Sequence, residues 1–346
     1  MMVKPDTKKI SFPGGEASML EGKIALVTGG GRGVGRAHAL MLAAQGAKVM
    51  VNDYGGSAWG EGNDATPAHE VVREIAAAGG TSAADTTDVS NWSDAQGLIA
   101  RTVERFGGLD ILVNNAGISR PTKFGELSED IWDRIIDINA KSMAALIDAA
   151  ARHWREIGPK AGRAIVCTAS CSGSNPHFPL GIYGVSKAAV LAIAQVAAQE
   201  LAPLGVRVNA LGPTARTRMV TAAMHGYRDN IDEIMPLNAD YDLFDPDHVA
   251  RLMLYLVSPQ CAFTGRFLAV RADDVFLFDS WTGTHHVANG GKAWSQEGLA
   301  QAIERLPGQQ ATRSVGPSGG YDTPFPPDAV LAQLLGLEPS PGDHSA

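Results

Sequence analysis

The feature that most constrains this chain is a junction. The apolar run Lys23–Thr28 (KIALVT) passes without a break into Thr28–Gly35 (TGGGRGVG). The next ten residues suit a helix, and Gly46 ends them. A β-type run feeding a glycine cluster that opens a helix is the entry to a nucleotide-binding α/β fold. Glycine lets the backbone turn sharply and approach a diphosphate without a Cβ in the way. The helix start adds unpaired N–H groups and the positive end of the dipole. On this reading Gly29, Gly31, Arg32, Gly33, Val34 and Gly35 contact the phosphates of a cofactor.

The rest of the chain repeats the alternation. Strands are expected at Lys48–Asp53, Thr81–Thr86, Ile111–Asn114, Ala164–Thr168, Val206–Leu211 and Phe267–Val270, the last closing the sheet. Helices are expected at about Ala68–Ala78, Asn91–Phe106, Ser128–Ile157, Ile182–Leu201 and from Asp245-Pro246 to near Ser258. Ser128 reads as an N-cap with Glu129 and Asp130 in the first turn. Strands alternating with helices imply an α/β fold: a doubly wound parallel sheet of the Rossmann type, covered on both faces. The expected division is an N-terminal extension over 1–21, a nucleotide-binding domain over 22–282 and a C-terminal extension over 283–346, where the composition turns polar and rich in Gly and Pro.

Composition narrows the class. The net charge of −8 over 346 residues argues against a nucleic-acid partner. No run of about 18 apolar residues suggests a membrane span, and the N-terminus has no secretory h-region. Three cysteines, Cys167, Cys171 and Cys261, show neither a disulfide framework nor zinc-ligand spacing. The expectation is a cytoplasmic protein. His285-His286 lacks the acid or cysteine that would complete a metal site, so no metal is expected.

Asp53 ends the second strand, eighteen residues beyond Gly35. An acid at about this distance accepts hydrogen bonds from the adenosine ribose hydroxyls and repels a 2′-phosphate, which favours NAD over NADP. Arg32 is the counter-signal. It reads as a cation for that phosphate, as a solvated loop charge, or as a partner for Asp53. Asp88-Val89, after the third strand, reads as an adenine contact or as a plain helix cap.

Tyr183 and Lys187 stand four apart at a helix start, on one face. A phenol with a pKa of about 10 is a poor base near neutrality. A neighbouring ammonium and the positive ring of an oxidised nicotinamide favour the phenolate, so the expectation is a lowered pKa. Tyr183 then takes a proton from an alcohol or gives one to a ketone. Ser170, thirteen residues earlier and just past a strand, is placed to hold the substrate oxygen.

TGGGRGVG, NNAG (Asn114–Gly117), Ser170 and YGVSK (Tyr183–Lys187) occur in this order, and together they resemble the short-chain dehydrogenase/reductase family over about residues 20–270. Asn139, in DINAKS, matches the family's helix asparagine, which supports a proton-relay water. The resemblance implies a catalytic tetrad of Asn139, Ser170, Tyr183 and Lys187, with Lys187 also on the nicotinamide ribose. It implies that Asn114 stabilises the central strand and that Asn115, Ala116, Gly117, Pro213 and Thr214 lie along the cofactor. VNDYGG (Val51–Gly56) and ARTRM (Ala215–Met219) are similar to the hydroxyacyl-CoA dehydrogenase units of peroxisomal multifunctional enzymes, in which the acid after the second strand goes with NAD.

The expected activity is NAD-dependent interconversion of a secondary alcohol and a ketone. The substrate is a 3-hydroxyacyl-CoA or, alternatively, a bulky apolar alcohol such as a steroid, terpenoid or aryl alcohol. A remote alternative is a non-catalytic NAD-binding scaffold or sensor. Alanine-rich helix faces around Ala144–Ala151 and Ala188–Ala198, by the same resemblance, imply a homodimer or homotetramer.

Other residues stay open. Arg216 and Arg218 read as CoA-phosphate ligands or as a solvated pair. Met219, Met224, His225, Tyr227 and Met235 read as an adaptable lid or as ordinary packing. His177, Phe178 and Leu180 are expected at the pocket edge. Cys167 reads as a small apolar strand residue, and Cys171 as a thiol partly exposed in the pocket. Pro213-Thr214 stands where the family often has Pro-Gly, and VRADDVFLFDSW replaces the usual strand end, so substrate contacts from the C-terminus do not carry over.

Overall fold

A computed structural model of the chain describes residues 18–175, 180–220, 242–271, 274–279, 286–288, 293 and 295–305. Strand β1 (Ile24–Thr28) leads through the glycine turn into α1 (Gly33–Ala44), then β2 (Lys48–Asn52), α2 (Thr66–Ala77), β3 (Ser82–Asp85), α3 (Trp92–Phe106) and β4 (Ile111–Asn114). The second half runs α4 (Glu129–Ile136), a π-turn (Asp137–Lys141), α5 (Ser142–Ile157), β5 (Arg163–Thr168), a short α6 (Cys171–Ser174), α7 (Gly181–Leu201) and β6 (Val206–Thr214). Then come α8 (Pro246–Val257), β7 (Phe267–Arg271), β8 (Asp274–Phe278) and α9 (Gln296–Glu304).

The sheet order is β3-β2-β1-β4-β5-β6-β7-β8. The order reverses between β1 and β4, so the two strands open a crevice at their carboxyl ends, where this architecture binds ligands. Side chains of β1 alternate between two cores. Ala25 and Val27 face a layer with Leu40, Leu42, Val249 and Met253, while Leu26 faces Leu98, Leu146, Trp154 and Val190. At about 25 cal/mol per Å² of apolar surface, burying each large side chain contributes about 1.5–3 kcal/mol.

Local chemistry sets the helix ends. Asn91, Ser128, Asp245 and Ser295 cap α3, α4, α8 and α9 with side-chain oxygens that accept N–H groups of the first turn. Gly107 closes α3 at φ 92°, a conformation that favours glycine. Helix α7, extended to Leu204, is the one described helix long and apolar enough to cross a membrane. Its apolar residues Val190, Ala194, Ala198 and Leu201 pack against the sheet instead.

Three expectations need correction. The stretch 129–157 is not one uninterrupted α-helix: five residues centred on Asn139 form a π-turn. The strand at Phe267 is not the last, since β8 pairs with β7 in antiparallel register, Phe267 opposite Phe278. Strand β6 extends to Thr214, so Pro213 and Thr214 lie within it, opposite Val270 and Arg271. Many of the alanines of the two small-residue faces, including Ala150, Ala151, Ala194 and Ala198, are buried in the chain's own core.

Candidate active site

The crevice opens into a cavity of about 660 Å³. Every residue assigned to the cofactor from the sequence lines it except Thr214. Ser57, Ala58, Gly60, Ile118, Arg134 and Thr217 line it too, and the sequence had not singled them out for that role.

The glycine turn is fitted by contact as well as by dihedral angle. Gly29 (φ 60°) rests on Ala116, where a Cβ would fall 2.9 Å from the Ala116 Cα. Gly35 backs on to the Gly29 carbonyl with no room for any side chain. Gly33 (φ 51°) faces Thr217. Arg32 at the N-cap of α1 gives no side-chain cap, and the first turn holds no acid. The leading N–H groups therefore meet the cleft without an internal anion, as a diphosphate requires.

Asp53 accepts the Gly31 N–H at 2.8 Å and the Gly55 N–H at 2.7 Å. It lines the cleft with its geometry fixed by backbone donors. Arg32 does not pair with Asp53; its ion pair is with Asp64 at 3.2 Å. Asp88 and Val89 line it too, and Arg134 approaches Asp88 at 3.9 Å.

Asn115, and not Asn114, ties the central strands together. Its Nδ2 donates to the Thr28 and Gly29 carbonyls at 3.2 and 3.1 Å. The Thr28 hydroxyl accepts the Asn115 and Ala116 N–H groups, each at 3.1 Å. The Asn114 side chain is buried and has no hydrogen-bond partner among the described residues.

The four expected catalytic residues converge. Lys187 is buried on α7, and its Nζ donates to the Thr168 carbonyl at 2.8 Å and lies 5.7 Å from the Tyr183 ring centroid. Burial lowers the Lys187 ammonium to about 8. Tyr183 is half-buried at the cleft wall. Burial pushes its phenol up to about 12, against a hydrogen bond from Ser170 that works the other way. The side chains alone therefore do not lower the Tyr183 pKa, because desolvation of a phenolate outweighs the neighbouring donor; the expected lowering also called on the positive ring of an oxidised nicotinamide.

Ser170 caps α6, accepting the Ser172 N–H at 3.1 Å, and does not line the cofactor cavity. Gly173 lies flush against α7, with a hypothetical Cβ 2.6 Å from the Lys187 carbonyl carbon and oxygen. Helix α6 thus sets the Ser170 hydroxyl against Tyr183.

Asn139 is a brace. Its Oδ1 accepts the Ile118 N–H at 2.8 Å, and its Nδ2 donates to the Ile118 carbonyl and the Ser186 hydroxyl, each at 2.9 Å. Ser186 in turn donates to the Tyr183 carbonyl at 2.7 Å. The sequence shows Ser186 only as the fourth letter of YGVSK. The π-turn brings the amide to this position, and such turns concentrate at functional sites. Gly117 leaves the gap between Asn139 and Lys187 open: a Cβ there would stand 3.3 and 3.4 Å from their polar atoms.

Other assignments sort by place. Arg216 lines the cleft and pairs with Asp242 at 3.5 Å. Arg218 and Met219 line it from the same segment. Cys167 is fully buried and its thiol is pushed up to about 12, as an inert strand residue would be. Cys171 is half-buried, and all three cysteines are free. His177, Phe178, Met224, His225, Tyr227, Met235, His285 and most of the 283–346 extension lie outside the described residues. No group of three metal-ligating side chains occurs among the described residues.

The short chain dehydrogenase family matches residues 23–228, and the chain belongs to that family. It is an oxidoreductase acting on CH–OH groups with a nicotinamide dinucleotide. The chain is 36% identical over 250 residues to peroxisomal multifunctional enzyme A of Dictyostelium discoideum, covering 72% of this chain and 53% of that protein, about half its length. It is 34% identical over 295 residues to the hydroxyacyl-CoA dehydrogenase ChsB1 of Mycobacterium tuberculosis, covering 82% and 88%. Among solved structures, a short chain dehydrogenase from Mycobacterium avium matches with TM-score 0.71 at 33% identity, covering 83% and 94%. Another, from Burkholderia cenocepacia in complex with NADP, matches with TM-score 0.62 at 33% identity, covering 73% and 98%.

Proposed function

We propose that this chain is an NAD-dependent dehydrogenase of 3-hydroxyacyl-CoA, working as a homo-oligomer in the cytoplasm. The observation that carries the reading is one continuous cleft with the Asp53 carboxylate at its adenosine end and Tyr183 and Lys187 at the other. The substrate class rests on the likeness to relatives named as hydroxyacyl-CoA dehydrogenase and multifunctional enzymes. The uncapped N-terminus of α1 and Gly31–Gly35 would hold the diphosphate, Asp53 the adenosine ribose, and Lys187 the nicotinamide ribose. Bound there, the dinucleotide supplies the hydride acceptor in oxidation and the donor in reduction.

The chain's own residues manage the proton and the geometry. Ser170 and Tyr183 hold the substrate oxygen between their hydroxyls. In oxidation the Tyr183 oxygen takes the hydroxyl proton, and in reduction it returns one. Lys187, with its affinity for a proton lowered towards neutrality by burial, can pass that proton on, and the gap beside Gly117 offers Asn139 and Lys187 a water to relay it. Fixing donor and acceptor in one orientation supplies much of the rate. Arg216 and Arg218, on the segment after β6, are the candidate ligands for CoA phosphates.

The test is NADH formation from a 3-hydroxyacyl-CoA chain-length series, run beside steroid and aryl secondary alcohols with NADP⁺ as control. Turnover of the thioesters with inhibition by free CoA is the expected result. Turnover of free alcohols alone would replace the substrate class with a bulky apolar alcohol. Tight NADH binding without any turnover would leave a scaffold or sensor.

A further inference from the structure

Arg32 stands next to Gly31, whose N–H is held by Asp53, and yet its guanidinium turns away from that acid. Nη2 meets Asp64 at 3.2 Å, and Nη1 donates to the Gly55 and Gly56 carbonyls at 3.4 Å each. All three acceptors belong to the loop between β2 and α2. Asp64 is fixed in turn: its Oδ1 accepts the Thr66 N–H at 2.9 Å, and its own N–H donates to the Tyr54 carbonyl at 3.1 Å. Gly55, at φ 80°, backs so closely on to the Asp64 main chain that no side chain would fit. The loop is thereby closed at its neck, and the Asp64 carboxylate has a set position. Arg218, on the segment after β6, adds a second cation, close enough for Arg32 and Asp53 both to act on its charge.

We propose that Asp64 is a specificity-determining residue for the dinucleotide: by holding Arg32 against the β2–α2 loop, it keeps a guanidinium from serving an adenosine 2′-phosphate. The inference rests on the reading of Asp53 as the ribose acceptor. Around that ribose, Arg32 and Arg218 balance Asp53 and Asp64. A 2′-phosphate brings about two negative charges and is best met by a bidentate guanidinium. Neutralising Asp64 leaves one positive charge in surplus and frees Arg32 to swing towards it. The pair is partly exposed, with side-chain accessibilities of 31% and 47%, so the tether is weak. Its release should change selectivity about two- to fivefold, not by orders of magnitude.

The experiment is calorimetric titration of the folded full chain with NADH, NADPH, 5′-ADP and 2′,5′-ADP. The variants are Asp64→Asn, Arg32→Ala and the double variant. Asparagine keeps the oxygen that accepts the Thr66 N–H; Asp64→Ser offers a second uncharged acceptor if Asp64→Asn unfolds. The expected result is a rise of more than about twofold in the NADPH-to-NADH affinity ratio, matched by 2′,5′-ADP against 5′-ADP. Arg32→Ala in the Asp64→Asn background should cancel it. A ratio within about twofold of the native protein overturns the proposal, and so does a rise that survives loss of Arg32. If the native chain itself binds NADPH more tightly than NADH, the NAD reading fails, while the change caused by Asp64→Asn still decides the role of Asp64.

Discussion

His38 offers a quantitative handle on the nucleotide-binding half of the fold. It sits on α1, fully buried, and neither ring nitrogen has a hydrogen-bond partner among the described residues. Burial lowers its pKa to about 3. In an unfolded chain the same imidazole titrates near 6.5. Between these values the unfolded chain binds a proton that the folded chain does not, so stability is full above about pH 6.5 and falls as pH falls towards 3. At pH 5, about 1.5 units below the unfolded value, the loss from this residue is about 2 kcal/mol at 1.36 kcal/mol per unit. His38→Leu has no such proton. Urea unfolding followed by tryptophan fluorescence at pH 8 and pH 5 should show the variant gaining about 2 kcal/mol on the native chain between the two conditions. At pH 8 it should already be at least as stable, because an unpaired buried polar group costs about 1–3 kcal/mol. A stability difference that stays within about 0.5 kcal/mol from pH 8 to pH 5 would refute the reasoning, since His38 would then take up its proton equally well in both states.

Two further outcomes follow from the site's packing. Gly173→Ala places a methyl against the Lys187 carbonyl and should push α6 and Ser170 off Tyr183; steady-state assays should show kcat down at least about tenfold with dinucleotide affinity little changed. Ser186→Ala removes the link between Asn139 and the Tyr183 carbonyl and leaves a buried amide hydrogen unpaired. It should cost about 1–3 kcal/mol in urea unfolding, and a fully stable variant would show that the brace is redundant.

Much of this architecture was legible in the sequence because it is written in short-range chemistry. The glycine turn, the caps at Ser128 and Asp245, and the alternation of apolar runs place most elements within a residue or two of their observed ends. Features set by tertiary contact were not legible. One inserted residue at Asn139 widens the helix without disturbing the apolar pattern on either side. Asn114 and Asn115 are chemically identical neighbours, and only the position of the Thr28 and Gly29 carbonyls decides which one bonds them. Strand β8 follows β7 after Ala272-Asp273, which carries none of the glycine or asparagine signals of a tight hairpin. The partner of Arg32 lies in a loop that closes on itself, beyond the reach of any spacing rule. The Tyr183 pKa follows from burial, which a four-residue spacing does not report.

The central claim is that Tyr183 moves the proton of the alcohol. The most direct measurement is single-turnover NADH formation with a 3-hydroxyacyl-CoA across pH, native protein against Tyr183→Phe, with NADH affinity measured in parallel. A phenol that burial holds above its ordinary value gives up its proton only at alkaline pH, so oxidation in the native protein should speed up as pH rises from neutrality. Tyr183→Phe should lose at least about 100-fold at every pH and keep its NADH affinity. A Tyr183→Phe protein that retains the native rate within about threefold, with the same pH dependence, would contradict the account.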